Sequence, residues 1–514
     1  MKEQLIGKNL KLFVDVGRLQ NRKGFATLEI LIAFTILILC MGSVIIVVFG
    51  NQSMAIDLET NNEAISKAEK NLEAMRALSR QDFNSVNSST GTEVSGPLTY
   101  NKNIIVEDLT QCKKKVISDV TWTNSIRPQK VELSTFLSDI TGAFALGGDC
   151  VTEPPTTNWT NPQSFASTDI NPGGNQGTGL DAMKVNGNKY VFLTSTHTAT
   201  TSNDFWSFNL EVNPPTIIGQ LNTGVGLNAV DVAKDVNTNE IYAYVVQNSN
   251  TNQLQIINIT NPATPTVVTS RTLPNIIFTC SPAASPCLAG QSIFFYDGKV
   301  YIGTKYIANL AIPISQNNEF HVYCVSDTSI LGCNPSNPIW LGSFNVNHNI
   351  NSINITGDKA YLATSGDNQE LTILNITNPA NITSDTLFDA DGAEDGTSVN
   401  LLGNKIYLGR KQTASGRPEL YILKKSDLSI ISGKDLNLNP SNALVAGISL
   451  ASNFIFLGTS DSGAEFQVWN SNNLNTIWSD FNFPQAIAGI EFLDDKIYLA
   501  VKSNNALHVI YDQP

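Results

Sequence analysis

Residues 22–52 read RKGFATLEILIAFTILILCMGSVIIVVFGNQ, and this stretch decides where the rest of the chain stands. Arg22 and Lys23 lead into Gly24-Phe25, a single carboxylate follows at Glu29, and an uncharged run then extends from Ile30 to Ile56. Its strongly apolar part, about 20 residues ending at Phe49, is long enough to cross a bilayer core as one helix. An unpaired carboxylate at the leading edge of such a helix costs about 3 kcal/mol in lipid, so Glu29 needs a partner. Beyond the apolar run, Ile65, Ala68, Leu72 and Met75 recur at helical spacing amid Glu, Lys and Asn. One helix is therefore predicted over 25–82, roughly 80 Å long, with a transmembrane part at about 30–49. It should stop before the Ser/Asn/Gly-rich stretch 85–96.

Residues 22–52 resemble the class III leader and N-terminal helix of type IV pilins and type II secretion pseudopilins. The resemblance implies that a prepilin peptidase cuts between Gly24 and Phe25, that residues 1–24 are a leader, and that Phe25 is methylated. It also implies that Glu29 pairs with the terminal ammonium of a neighbouring subunit. A freed ammonium on Phe25 is the kind of counter-charge that Glu29 lacks on its own helix. An uncleaved signal anchor would explain the apolar run, but neither the Gly-Phe junction nor the glutamate. The family often carries a proline where Ile46 stands, so any melting of this helix would have to begin at Gly42 or Gly50. Basic residues on the leader set the orientation. The N-terminus is expected in the cytoplasm, with a single pass of the inner membrane before assembly and an extracellular pilus, pseudopilus or cell-surface location after it. Expected partners are other pilin subunits, the prepilin peptidase and the inner-membrane assembly machinery.

At 514 residues the chain is too long for one ordinary domain. The formal charge is −13 and the leader is basic, so the remainder is more acidic still, which argues against binding nucleic acid through phosphates. Short β-branched and aromatic runs at Ile104–Val106, Val116–Trp122 and Lys130–Phe136 predict a small sheet over 98–150. The string around Trp122 resembles the strand pair of minor pilins, which makes 25–150 a pilin-like module. Among the seven cysteines, Cys40 lies in the apolar run. The other six fall as Cys112 and Cys150, Cys280 and Cys287, and Cys324 and Cys333; export favours disulfides, though six cysteines formally allow 15 connectivities. A Cys112–Cys150 bridge would close the module as a C-terminal loop disulfide does in many pilins. Glu153-Pro154-Pro155-Thr156-Thr157 then reads as a stiff linker within 151–160.

From 161 to 514 the sequence repeats. A small residue opens each copy: Ala182, Ala229, Ser292, Ser352, Ser398, Gly447 and Gly489. A short strand and a turn ending in lysine follow, as in NGNK, YDGK, TGDK, LGNK and LDDK, which suits a two-stranded hairpin. Third and fourth strands complete each copy, and radial repetition of such units predicts an all-β, seven-bladed β-propeller, with an open seven-fold array or an eight-bladed ring as the alternative. Ile259-Thr260-Asn261-Pro262 and Ile376-Thr377-Asn378-Pro379 resemble LVIVD-type propeller repeats. The last copy ends after three strands, and 163–170 is expected to supply its fourth. The fold class is thus an α+β pilin module followed by a propeller.

Chemistry is sparse. His321 and His508 take third-strand slots that hold ordinary polar residues elsewhere, His197 sits in a Thr-rich loop, and His348 is expected near the channel mouth. No hydrolase, zinc-protease or phosphate-loop motif is present, and no enzymatic activity or cofactor is expected. Asp389, Asp391, Glu394 and Asp395 could offer oxygens to Ca²⁺, although their spacing departs from the twelve-residue loop; a solvated acidic turn is the alternative. The inner-strand entries look small and neutral. Inserts at 275–291, 307–319 and 326–337 concentrate variation on loops, a common recognition surface. The resulting expectation is a minor pilin that displays the propeller to bind a surface glycan or protein. The alternatives are a pseudopilin that binds exported cargo and a displayed hydrolase or lactonase.

Overall fold

A computed structural model describes residues 26–124, 127–148, 155–170, 175–196, 202–249, 251–274, 289–306, 318–412, 416–483 and 485–513. Gly24 and Phe25 lie outside these. Helix α1 spans Ala26–Gln81. Its apolar side chains from Leu28 to Leu58 are exposed, and by length and composition it can cross a membrane. A helix of this kind can serve as a membrane anchor or a signal sequence.

The chain forms two compact units. One holds the chain up to Lys70 with Gly91–Lys102 and Asp119–Leu133; the other holds Asn71–Thr90, Asn103–Ser118 and everything from Ser134. A four-stranded sheet, in the order β1 (Ser89–Ser95), β2 (Leu98–Thr110), β3 (Lys113–Asn124) and β4 (Arg127–Ser138), follows α1. In the first unit Ala64 and Ala68 of α1 pack on Tyr100, Val120, Trp122 and Val131. Buried Lys67 is tolerated because it meets Glu93 at 2.6 Å and Glu63 at 3.2 Å. Strand β1 adds to the sheet expected from residue 98 onward: Thr90, Thr92 and Val94 alternate with short or charged residues along an exposed edge, and polarity hid a strand that needs to bury little.

In the second unit Lys114 Nζ donates to the Val86 carbonyl at 2.9 Å and lies 5.0 Å from the Phe83 ring. A short helix, α2 (Ile140–Ala145), follows, its first turn capped by Asp139, which accepts from Gly142 N–H at 2.9 Å. The rest is all β, a propeller-like body. Among the described residues it comprises seven four-stranded antiparallel sheets, here I (177–221), II (227–271), III (290–344), IV (350–388), V (396–434), VI (445–481) and VII (487–512). Sheet VII takes its fourth strand from β5, Pro162–Thr168, which pairs with Leu507–Asp512. The hairpin turns use positive φ as their sequences require, with Asp297 at 49° and Gly298 at 70°.

Two expectations change. The presumed linker does not extend to residue 160. Trp159 is wholly buried, its ring 4.8 Å from the Phe456 ring and 6.4 Å from that of Phe492, and its backbone N–H donates to Asp512 at 2.7 Å. Thr156 N–H donates to Asp495 at 2.6 Å, so the body begins by Thr156. The small residue of the first copy is Gly179, not Ala182. The other six copies shift register between the first residue of sheet I–VII type strands and the residue two further on, as at Gly290/Ser292, and in sheet I this shift falls at Gly177/Gly179. In the longer hairpin of sheet I Lys189 pairs with Lys184 rather than standing directly after the turn, so the spacing from lysine back to the small residue is longer than in the other copies whose turn ends in lysine.

Candidate functional site

The first strand of every sheet contributes to one central cavity, whose contents follow from the repeat. The second residue of each first strand sits at a β-bulge, which turns its side chain toward the next sheet. Thr178 Oγ1 donates to Leu227 O at 2.6 Å, and Asn228 Nδ2 to Gly290 O at 2.6 Å. Gln291 Nε2 donates to Asn351 Oδ1 at 3.1 Å, Asn351 Nδ2 to Gly396 O at 2.7 Å, and Thr397 Oγ1 to Val445 O at 2.7 Å. Ala446 and Ala488 hold the same place in sheets VI and VII. This polar belt surrounds one end of the cavity, a mouth of about 450 Å³.

Three residues further along each strand lies a second belt: Asp181, Asp231, Phe294, Asn354, Asn400, Ser449 and Glu491, each paired with an aromatic residue of the second strand. Asp181 accepts from Val232 N–H at 2.6 Å and Asp231 from Phe295 N–H at 2.5 Å, so each side chain ties its sheet to the next. Asn400 Nδ2 donates to Ile448 O at 2.8 Å, and Ser449 Oγ accepts from Phe492 N–H at 3.1 Å. Burial pushes Asp181 up to about 6. Burial and then the Asp181 charge push Asp231 well up, and its carboxyl hydrogen-bonds to Asp181. The same two causes raise Glu491 to about 8. These three acids from neighbouring strands correct the expectation of a neutral channel. The small entry residues are indeed uncharged, but the position two further on carries the acids.

Around the second belt the cavity encloses about 340 Å³, and Thr110, Gln111 and Leu146 lie against that end. Nearby, Lys234 N–H donates to Gly147 O at 3.1 Å and Asp297 N–H to Ala145 O at 2.7 Å. The β2–β3 turn and the end of α2 thus close the end opposite the mouth.

The other sequence candidates do not enter this cavity. Among the described residues no group of three or more His, Cys, Asp or Glu is placed to hold a metal ion, and the Ca²⁺ candidate is corrected by an arginine. Arg410, wholly buried, meets Glu370 at 2.9 Å and Glu394 at 2.8 Å and donates to the Asp391 carbonyl at 3.4 Å. Arg417 takes the other Glu394 oxygen at 3.0 Å. A guanidinium therefore stands where a cation would be needed, and Asp389 and Asp395 are not drawn in. His321 Nε2 lies 2.7 Å from Asn318 O, and burial pushes its imidazole down to about 4. His508 lies edge-on to Phe483 at 5.1 Å. His348 stacks near Tyr306 at 6.1 Å and is not among the residues lining the mouth. Cys324 and Cys333 form a disulfide with Cα atoms 5.8 Å apart, which closes the 326–337 insert. Cys112 is disulfide-bonded and Cys40 is free. Cys150, Cys280, Cys287, His197 and most of the other two inserts lie outside the described residues, and Glu29 is exposed on α1.

Comparison with known proteins gives one family signal. The LVIVD repeat matches residues 232–272 and 349–386, which fall on sheets II and IV. The part of these repeats that reads ITNP has a visible job: a Cβ added to Gly219 or Gly342, on the fourth strand of the preceding sheet, would run into the carbonyl oxygen of Pro262 or Pro379. The glycine and the turn therefore pack backbone to backbone. None of the curated proteins compared matches the chain. Among solved structures, the computationally designed Ika8 protein is similar at a TM-score of 0.41 and 10% identity, over 83% of this chain and 96% of that one.

Proposed function

We propose that the chain is a minor type IV pilin-like subunit that carries a closed, seven-bladed propeller as an adhesive or ligand-binding head. In this reading the leader is cut between Gly24 and Phe25, and Glu29 pairs with the Phe25 ammonium of a neighbouring subunit. The carrying observation is the half-exposed helix α1: one face-less apolar rod from Leu28 to Ile56 interrupted by the lone acid Glu29, continuing into a second half that packs on a sheet. A rod of that kind needs lipid or sibling helices around it. Ring closure draws support from the first strands, which neighbour one another from sheet I through VII and from VII back to I. Closure of this kind removes exposed sheet edges. A head of about 350 residues would crowd a densely repeating shaft, so sparse or tip placement follows. The mouth, facing away from the closed end, is the proposed binding face.

The displayed-enzyme reading draws on the three cavity acids. Two of them, however, already accept a backbone N–H from the adjoining strand, which accounts for their presence without chemistry. The test of the main proposal is Glu29→Val. Membrane insertion should persist while the subunit disappears from sheared fibres; normal incorporation would remove Glu29 from assembly.

A further inference from the structure

The mouth differs in charge from the chain that builds it. The protein carries a formal charge of −13, yet none of the residues lining the mouth is acidic and two are lysines, Lys305 and Lys502. Each lysine directly follows the second strand of its sheet, III or VII. The backbone of each is pinned to the residue before its own first strand, Lys305 N–H to Ala289 O at 3.1 Å and Lys502 N–H to Ala486 O at 2.9 Å. Neither ammonium has a hydrogen-bond or ion-pair partner among the described residues. The same position in sheet V holds Lys411, which faces Asp395. Sheets III and VII therefore present two uncompensated cations to one polar cavity.

Two further features narrow what could fill it. Gln291 lines the mouth and spends its amide N–H on Asn351, while its Oε1 is buried without a partner, so a hydroxyl that displaces the side chain slightly finds an unmet acceptor. On the side of sheets VI and VII the wall is Ala446, Gly447, Ala488 and Gly489, which leaves a flat bay beside Lys502. Deeper in, Asp181, raised only to about 6, keeps its charge at neutral pH and repels an anion, so an acidic group would stay at the rim beside the lysines. No aromatic residue lines the mouth, so recognition would run through polar groups rather than stacking.

We infer that the mouth takes an anionic, hydroxyl-rich ligand, a uronic-acid-containing glycan, with carboxylates beside Lys305 and Lys502 on their separate sheets and a ring hydroxyl on Gln291. This rests on the mouth being the binding face proposed above and names the ligand class for it. A cavity of this size falls within the usual range for small ligands.

The test uses the full chain in detergent micelles, titrated calorimetrically with trigalacturonate and with its uncharged galactose counterpart. The acidic sugar should bind about tenfold more tightly at low ionic strength, with the advantage shrinking as salt is raised. The double variant Lys305→Gln/Lys502→Gln should abolish that preference, and Gln291→Leu should weaken both sugars. Equal binding of the two sugars, with Gln291→Leu weakening both, overturns the acidic class while leaving the mouth as a binding face. A preference that survives the double variant overturns the assigned site. Binding of neither sugar overturns the inference outright, while the pilin reading stands or falls separately on the Glu29→Val fibres.

Discussion

Glu491→Gln tests the electrostatics of the inner belt most directly. The glutamate is buried beside Asp181, and both burial and that neighbouring charge raise its folded pKa to about 8 from the ordinary 4.5. Asp181 and Asp231 are the titratable groups facing it, and no basic side chain lines that part of the cavity among the described residues. The folded chain therefore keeps a proton that the unfolded chain has already lost between those two values. Stability contributed by this group is complete below about pH 4.5 and is lost as pH rises toward 8, at about 1.4 kcal/mol per pH unit. Glutamine keeps the shape and has no proton to lose. The variant should match the parent below about pH 4 and exceed it by about 4 kcal/mol near pH 7.5, with the gap constant above about pH 8.5. Urea unfolding of the full chain in micelles reads this out through the buried Trp159, Trp206 and Trp469. Glu319 and Glu419, raised by burial to about 7, slope the same way in both proteins and cancel in the difference. A difference curve that is flat or falls with pH would refute the reasoning.

Trp159→Ala should cost about 3–5 kcal/mol by emptying a site between Phe456 and Phe492; a loss below about 1 kcal/mol would return residues 151–160 to the role of a linker. Arg410→Leu should cost about 3–5 kcal/mol because it strands Glu370 and Glu394 as buried charges. Adding Glu370→Gln and Glu394→Gln should recover much of that loss, and additive rather than compensating effects in urea unfolding would show that the three do not act as one cluster.

What the sequence made legible is what local rules govern. The apolar run to Phe49, the turns that end in lysine and the outer strand near 163–168 each follow from a period or a turn chemistry confined to a few residues. What it hid depends on partners far away in the chain. Trp159 follows a Pro-Pro run that signals a linker, and nothing local says that Phe456 and Phe492 wait some three hundred residues on. Glu394 sits in an acidic turn that reads as a cation loop, because the guanidinium that claims it arrives sixteen residues later and is shared with Glu370 on another strand. The inner acids were hidden differently. They occupy a position that repeats in all seven sheets, but Asp, Phe, Asn, Ser and Glu share no obvious class. Their common requirement is geometric: where Asp181, Asp231 and Ser449 stand, an acceptor must reach the N–H of the next strand. Oxygen is what that bond needs, and a carboxylate supplies it as well as a hydroxyl does. The negative charge then arrives as a consequence of joining sheets, and burial answers it by holding protons on Asp231 and Glu491. An acidic cavity built in this way needs no substrate to explain it, whereas the two rim lysines, without a partner among the described residues, have no such bond to make.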